Sequence, residues 1–266
     1  MLDNGGDGSV ACSIMCCFTG KVEEVKNTRI FARLGERGNQ VIIYQMSVNA
    51  PQDLAMVLPI PIKEGAGEDA VKFFDISKYD RVFEDLWELF PIPKSRGADP
   101  FGAAPAAAGY SLKVVSVGAY DASFVPTIAD FSRLDARFRL PVGVWAKLPG
   151  YADFGFAVFK LKPGNAQVHP MAFSFPSALA DTVFFPTLHI HDGEVHAKEG
   201  FDHTLYLQGP AANLARGGWH ESPALAVTKV KCGLTHGMIR PELHVYRQSM
   251  RGTFDNGDVV VKVRAA

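Results

Sequence analysis

Short stretches in which apolar and polar residues alternate recur along this chain, and they limit it to a fold built mainly of β-sheets. Residues 28–34 and 40–48 are separated by Gly-Glu-Arg-Gly-Asn, which is typical of a hairpin turn. In the second stretch, four apolar residues recur at a spacing of two and so share one face of a strand: Ile42, Tyr44, Met46 and Val48. We therefore predict a sheet with one packed face.

Strand-like stretches continue to the end of the chain. We predict strands at residues 111–117, 120–125, 154–162, 168–175, 183–191, 194–207, 224–232, 242–248 and 259–263. The dipeptides Asp192-Gly193 and Asn256-Gly257 are typical of two-residue hairpin turns. In the stretch 55–62, Pro59 and Pro61 remove two backbone donors, which predicts an edge strand or an extended connecting segment.

One segment has a helical period instead. Ser77 with Asp80 resembles a helix start, and Pro91 ends the helix. Between them lies an apolar stripe at helical spacing, which is typical of core packing and includes Tyr79, Val82, Phe83, Leu86, Trp87 and Phe90. Together, the patterns predict an α+β fold of predominantly antiparallel β-sheets with a few short helices.

A stretch rich in Pro, Ala and Gly divides the chain. Residues 92–109 show no periodicity and are long for an internal loop, so they predict a linker or long loop. The predicted organisation is a flexible N-terminus with Gly and Cys (1–20), a β-rich segment with one amphipathic helix (21–91), the linker, and a β-rich domain that contains all eight histidines, including the histidine cluster (110–266).

Charge and hydropathy exclude several classes of protein. Lys and Arg number 27 and Asp and Glu 28, which gives a formal net charge of −1 and no basic surface for nucleic acid. No apolar stretch is long enough for a membrane-spanning helix. A basic start followed by a longer apolar region is also lacking, so we expect a cytoplasmic protein, or an exported one if the start codon is mis-set.

Several short motifs between Val114 and Phe175 resemble those of a known family. They are Val117-Gly118-Ala119-Tyr120-Asp121, Leu140-Pro141, Tyr151, the stretch from Gly155 to Leu161, and His169-Pro170-Met171. This combination resembles an uncharacterised bacterial domain family, usually secreted, with V-G-x-Y, L-P, Y-x3-G and K-L motifs. The resemblance implies a β-rich α+β fold and export, and it implies no catalytic residue because no activity is known for the family.

A cluster of histidines is the main candidate site. If Asp192-Gly193 forms a two-residue turn, His189 faces His196 and His191 faces Glu194, all on one side of a hairpin. Opposed positions have Cβ atoms about 5 Å apart, close enough for two imidazoles to bind one ion. The pattern predicts a transition metal such as Zn at these four residues. His203 faces away unless Gly200 bulges the strand.

Other functions remain open from the sequence. The histidine face is also what a solvated or pH-responsive surface of a sheet looks like, and one of its histidines could act as a catalytic base. Cys16 and Cys17 are candidate nucleophiles for a hydrolase or transferase using such a base. The C-x3-C-C spacing of Cys12, Cys16 and Cys17 differs from the common zinc spacing. We therefore predict a β-rich binding protein with a metal on the histidine face, with a cysteine enzyme or a structural assembly component as alternatives.

Overall fold

The computed structural model describes residues 17–20, 22–91, 115–117, 120–140, 142–162, 164–190, 194–209 and 214–263. Two α-helices occur in this part of the chain, α1 (Val82–Glu88) and α2 (Val142–Ala146), together with several short 3-10 helices. The strands are β1 (Cys17–Phe18), β2 (Glu24–Leu34), β3 (Asn39–Ala50), β4 (Leu54–Ile60), β5 (Lys72–Phe74), β6 (Val115–Val117), β7 (Tyr120–Val125), β8 (Gly155–Leu161), β9 (Gly164–Gln167), β10 (Met171–Pro176), β11 (Thr182–Phe185), β12 (Lys198–Gln208), β13 (His220–Glu221), β14 (Tyr246–Asp255) and β15 (Val259–Lys262).

The strands form two large sheets. Sheet A has the order β1-β4-β8-β7-β6, and sheet B has the order β13-β14-β12-β2-β3-β10-β5, with β9 beside β3. Strand β12 runs parallel to β2, whereas the other strand pairs of these sheets are antiparallel. Strands β11 and β15 form a separate antiparallel pair. The prediction of predominantly antiparallel sheets with a few short helices is confirmed.

Both sheets combine strands from before and after residues 92–109, which lie outside the described part of the chain. In sheet A, β4 pairs with β8 over its full length. In sheet B, β10 pairs with β3, and β12 pairs with β2. The segments on either side of the predicted linker therefore complete the same two sheets.

The hairpin predicted at residues 28–48 is confirmed by the antiparallel pairing of β2 with β3. Ile42 and Tyr44 are buried in the layer between the sheets, as their alternation predicts. The prediction of a single packed face is wrong, however, because Ile43 on the other face packs in a second core with Val82 and Phe83 of α1. Sheet B is thus covered on both faces, which the pattern of one strand could not reveal.

Aromatic side chains join the two sheets. The Phe159 ring of sheet A lies 5.6 Å from that of Phe73 and 5.8 Å from that of Phe173, both in sheet B, measured between ring centroids. Tyr120 of β7 makes a further edge contact with Phe159 at 6.0 Å. Rings at these distances stabilise the contact beyond their buried area, so this layer is the main core.

Helix α1 begins later than predicted. The Ser77 side chain makes no capping hydrogen bond at the start of α1, and the Ser77 backbone N–H donates to Asp75 Oδ1 at 2.9 Å. Most of the predicted stripe is buried, but Trp87 is 38% exposed, so its assignment to the core is wrong. The Arg247 guanidinium covers its ring at 4.3 Å, which explains how an aromatic residue is tolerated there.

One further strand prediction and one turn prediction are wrong. Residues 224–232 contain a 3-10 helix, Ala226–Thr228, where Ala226 and Val230 pack in the same core as α1. Asn256-Gly257 does not join paired strands, because β14 pairs with β12 whereas β15 pairs with β11. Apolar residues and turn dipeptides indicate only a local preference for strands and turns. Contacts with distant parts of the chain decide which strands pair.

The strand predicted at residues 55–62 is observed as β4, which lies second in sheet A and is covered on its outer side only by the two-residue strand β1. Strand β1 pairs with β4 only at Met56 and Val57, so Pro59 lies beyond the reach of β1. A proline at such a position costs no ladder hydrogen bond on the uncovered side. Across the described residues, no helix is both long enough and apolar enough to cross a membrane.

A close contact at Gly155 generates a test of the packing. A Cβ atom at Gly155 would lie 2.6 Å from Phe124 Cε2 and 2.9 Å from Ile62 Cγ2. We expect Gly155→Ala to lower the free energy of unfolding by about 1–3 kcal/mol, because buried groups must shift to admit the methyl group. Urea unfolding measures the change. Gly67→Ala is the control, since no atom lies within 4 Å of its Cβ position, and an equal loss there would contradict the interpretation.

Candidate functional site

His189, one of the predicted metal ligands, lies in a short segment, residues 187–190, that follows β11. A single parallel bridge joins Ile190 to Cys17 of β1. The Phe18 N–H donates to the Ile190 carbonyl at 2.9 Å. The segment is therefore attached to the edge of sheet A.

The hairpin on which the predicted site depended does not form. Residues 182–185 pair with β15, and residues 198–208 pair with β14 and β2, so the two stretches are not partners. Asp192-Gly193, the proposed turn, lies outside the described residues. The prediction of this hairpin is wrong because each stretch pairs with other strands of the fold.

Asn256 binds the backbone of this segment from the turn after β14. Its Oδ1 accepts the His189 N–H at 2.8 Å, and its Nδ2 donates to the His189 carbonyl at 2.9 Å. The same amide group donates to the His196 carbonyl at 3.0 Å. One side chain therefore joins the chain before and after residues 191–193, in place of strand pairing.

Asp258 binds the same segment two residues later. Its Oδ1 accepts the N–H groups of Thr187 at 2.7 Å and Leu188 at 2.9 Å, and its Oδ2 accepts the Tyr151 hydroxyl at 2.7 Å. Burial raises the pKa of Asp258 to about 6, although these three donors act in the opposite direction. Burial and the nearby Asp258 carboxylate raise the pKa of Tyr151. This carboxyl group serves to hold residues 187–188.

The structure brings His189 together with His203. Both side chains are fully buried, and their ring centroids are 5.2 Å apart with the planes inclined by 24°. The Phe201 ring lies 4.2 Å from His189 and 5.1 Å from His203. The pKa of His203 is well below its usual value, mainly because the ring is buried and to a lesser extent because His189 is close. The imidazole is therefore neutral. His203 was predicted to face away, and that prediction is wrong.

The other predicted ligands are placed differently. His196 and Glu194 are exposed, and the Glu194 carboxylate forms an ion pair with Lys147. His191 lies outside the described residues. Within the described ranges, no group of three or more His, Cys, Asp and Glu side chains is gathered in a way that could hold a metal ion. Metal binding at these residues therefore stays a prediction.

The candidate nucleophiles are Cys16, which lies outside the described residues, and Cys17, which is 1% exposed. The Cys17 thiol contacts the Leu188 carbonyl at 3.6 Å and packs with the side chains of Leu188 and Ile190. His189, between these two residues, instead stacks on Phe201. Its imidazole and the Cys17 sulfur therefore belong to different packing layers, which does not favour a thiol–imidazole pair.

A polar group beneath α1 was missed by the sequence analysis. Arg29 donates to Glu84 Oε1 at 2.6 Å and to Gln45 Oε1 at 2.7 Å. Tyr206 lies opposite Arg247 in the register of β12 with β14. Within the described chain, four buried polar atoms there have no hydrogen-bond partner: Arg29 Nε, Glu84 Oε2, Tyr206 Oη and Arg247 Nη1. These residues come from four separate elements, so no local spacing could have indicated their meeting.

Comparisons with known proteins identify a related fold. No protein-family model and no curated protein matches the chain. The crystal structure of baculovirus P35 has a TM-score of 0.53 at 12% identity, covering 94% of this chain and 100% of P35. A mutated baculovirus P35 after caspase cleavage has a TM-score of 0.51 at 14% identity, covering 90% and 99%. At these identities the likeness concerns the fold alone.

The buried carboxyl group generates a pH-dependent prediction. Because the pKa of Asp258 is about 6 in the folded state, against 3.8 as its ordinary value, the folded state binds the extra proton between these pH values. The contribution of this group to stability is complete below the lower value and is lost as the pH rises through 6. In Asp258→Asn the free energy of unfolding should no longer fall by up to about 3 kcal/mol between pH 4 and 7. Urea unfolding over this pH range measures the difference. Asp153→Asn, at an exposed position, is the control, and equal effects of both variants would contradict the assignment.

The buried imidazole has the opposite pH dependence. His203 is neutral in the folded state, so its contribution is complete above its ordinary pKa of 6.5 and is lost as the pH falls below that value. In His203→Phe the new ring can stack in the same place but cannot be protonated. We expect this variant to lower the acid-induced fall in the free energy of unfolding by up to about 1.4 kcal/mol per pH unit. His220→Gln, at an exposed position, should leave the acid slope unchanged. An unaltered slope in His203→Phe would show that another group causes it.

Proposed function

We propose that this chain is a β-rich protein that binds a peptidase and is cut by it while its fold stays assembled. The proposal rests on one structural observation, the pairing of strands across residues 92–114. Strands β1 to β5 precede these residues, strands β6 to β15 follow them, and both sheets contain strands from each set. A chain cut between the two sets would remain joined through β4–β8, β3–β10 and β2–β12.

The likeness to P35 supports the same proposal. The fold of that protein matches almost the whole of both chains, and one P35 structure was obtained after caspase cleavage. Survival of a fold after a chain break requires that the two pieces share a core. Here the shared core is the aromatic layer in which Phe159, from after the segment, contacts Phe73, from before it.

The sequence of residues 92–114 indicates which peptidases fit. Peptidases cut preferentially in connecting segments without regular secondary structure, and residues 92–109 of this stretch have no periodic pattern. Its single acidic residue, Asp99, is followed by Pro100, and the imide bond before a proline resists most peptidases. Arg96 is followed by Gly97, a bond that a peptidase specific for basic residues can cut. We therefore propose a cysteine peptidase with basic specificity as the partner.

The test is incubation of the purified chain with an arginine-specific cysteine peptidase and, separately, with a caspase. We expect one cut after Arg96, found by mass spectrometry, and two fragments that separate on a denaturing gel but co-elute in gel filtration. At equimolar amounts, the peptidase should lose activity on a small peptide substrate because it stays bound.

Arg96→Ala should abolish the cut and the loss of peptidase activity, whereas Lys113→Ala in the same stretch should leave both unchanged. Cutting after Asp99 by the caspase would move the assignment to acidic specificity. Scattered cutting with a fully active peptidase would contradict the proposed function.

A further inference from the structure

Strand β14 is an edge of sheet B over most of its length. Strand β12 pairs with β14 from Tyr246 to Asp255, but on the opposite side β13 covers only Tyr246 and Arg247. The next residue, Gln248, contacts the segment before β13, because its side-chain amide donates to the Gly217 carbonyl at 2.8 Å. No other strand of the described chain lies along residues 251–255, all of which are exposed.

The direction of the backbone groups along this edge follows from the contact with β13. The Val245 carbonyl accepts the Ser222 N–H at 2.8 Å, so Val245 directs its backbone groups away from β12. Backbone direction alternates along a strand, and the register with β12 is continuous over residues 246–255. Arg251, Thr253 and Asp255 therefore direct their N–H and C=O groups outward. Unpaired outward groups on a long edge favour pairing with another strand.

The side chains of the open stretch are complementary to one another. Arg251 and Asp255 lie on one face with exposed fractions of 69% and 91%, carry opposite charges, and flank Thr253 symmetrically. On the other face, Phe254 is 38% exposed. Its neighbour on that face is Gly252, which has φ of 110°. A Cβ atom added at Gly252 would have no other atom within 4 Å, so the space beside it is open. A second strand could therefore place an aromatic ring beside Gly252.

We propose that two copies of this chain associate through β14, antiparallel, with a twofold axis at Thr253. This register places Arg251 of each copy opposite Asp255 of the other, and Phe254 of each opposite Gly252 of the other. Thr253 meets its own counterpart, a cross-strand pair that stabilises antiparallel sheets. The residues with outward backbone groups are opposed in this register, so about six backbone hydrogen bonds form.

The charged residues on this edge have only weak partners within the chain. Arg251 lies 3.7 Å from Asp202, and Asp255 lies 3.7 Å from Lys198, and these are loose contacts at exposed positions. In the dimer, each ion pair would be covered by the neighbouring strand. The twofold arrangement closes on itself, so the association stops at two copies and does not continue into a fibre.

The test is sedimentation equilibrium of the full chain, without any peptidase, at concentrations up to about 100 µM. We expect a dimer for the natural chain. Arg251→Asp or Asp255→Arg alone should raise the dissociation constant at least about tenfold, because each places like charges opposite each other. An equimolar mixture of the two variants should restore the dimer, since every contact then pairs Asp with Arg.

Lys231→Asp, which reverses an exposed charge outside β14, is the matched control and should leave the dimer intact. Far-ultraviolet circular dichroism should show the same fold in all variants. A monomeric natural chain, a dimer insensitive to both charge reversals, or a mixture that stays monomeric would each overturn the proposal. None of these outcomes affects the proposed binding of a peptidase.

Discussion

Face-to-face packing of sheet A on sheet B is the constraint on which the rest of this structure depends. The Phe159 ring meets Phe73 and Phe173 across the layer, and alternate residues of β3 and β4 complete it. Strands of both sheets come from both sides of residues 92–114, so the layer forms only after contacts between distant parts of the chain. The helix α1 and the outer 3-10 helices then pack on the remaining faces of these sheets.

A second constraint comes from the turn that carries Asn256 and Asp258. Residues 187–189 belong to no strand, and their N–H groups need acceptors because they are largely enclosed. The two side chains supply those acceptors and hold the segment between β1 and the sheet B core. As a consequence, His189 is directed onto Phe201 and His203 and away from solvent. The apparent histidine face of the sequence is thus divided between a buried stack and an exposed His196.

The two proposed interactions use different properties of the same architecture. Survival of the fold after a cut by a peptidase depends on the shared core, because the core holds together the strands on either side of residues 92–114. Association of two copies depends on the open edge of β14, where Arg251, Thr253 and Asp255 present a self-complementary pattern. Core and edge are separate features of the two-sheet arrangement, so one interaction does not require the other.

The sequence by itself determined which residues form strands in several regions, since alternation at a spacing of two is a local property. The hairpin of β2 and β3 and the burial of Ile42 and Tyr44 follow from it directly. Only the tertiary structure decided the partners: that β11 pairs with β15, that Asn256 bridges two separate segments, and that Tyr206 lies beside Arg247. The physical reason is that strand pairing and burial depend on contacts between residues far apart in the chain, and a pattern within one stretch carries no information about those contacts.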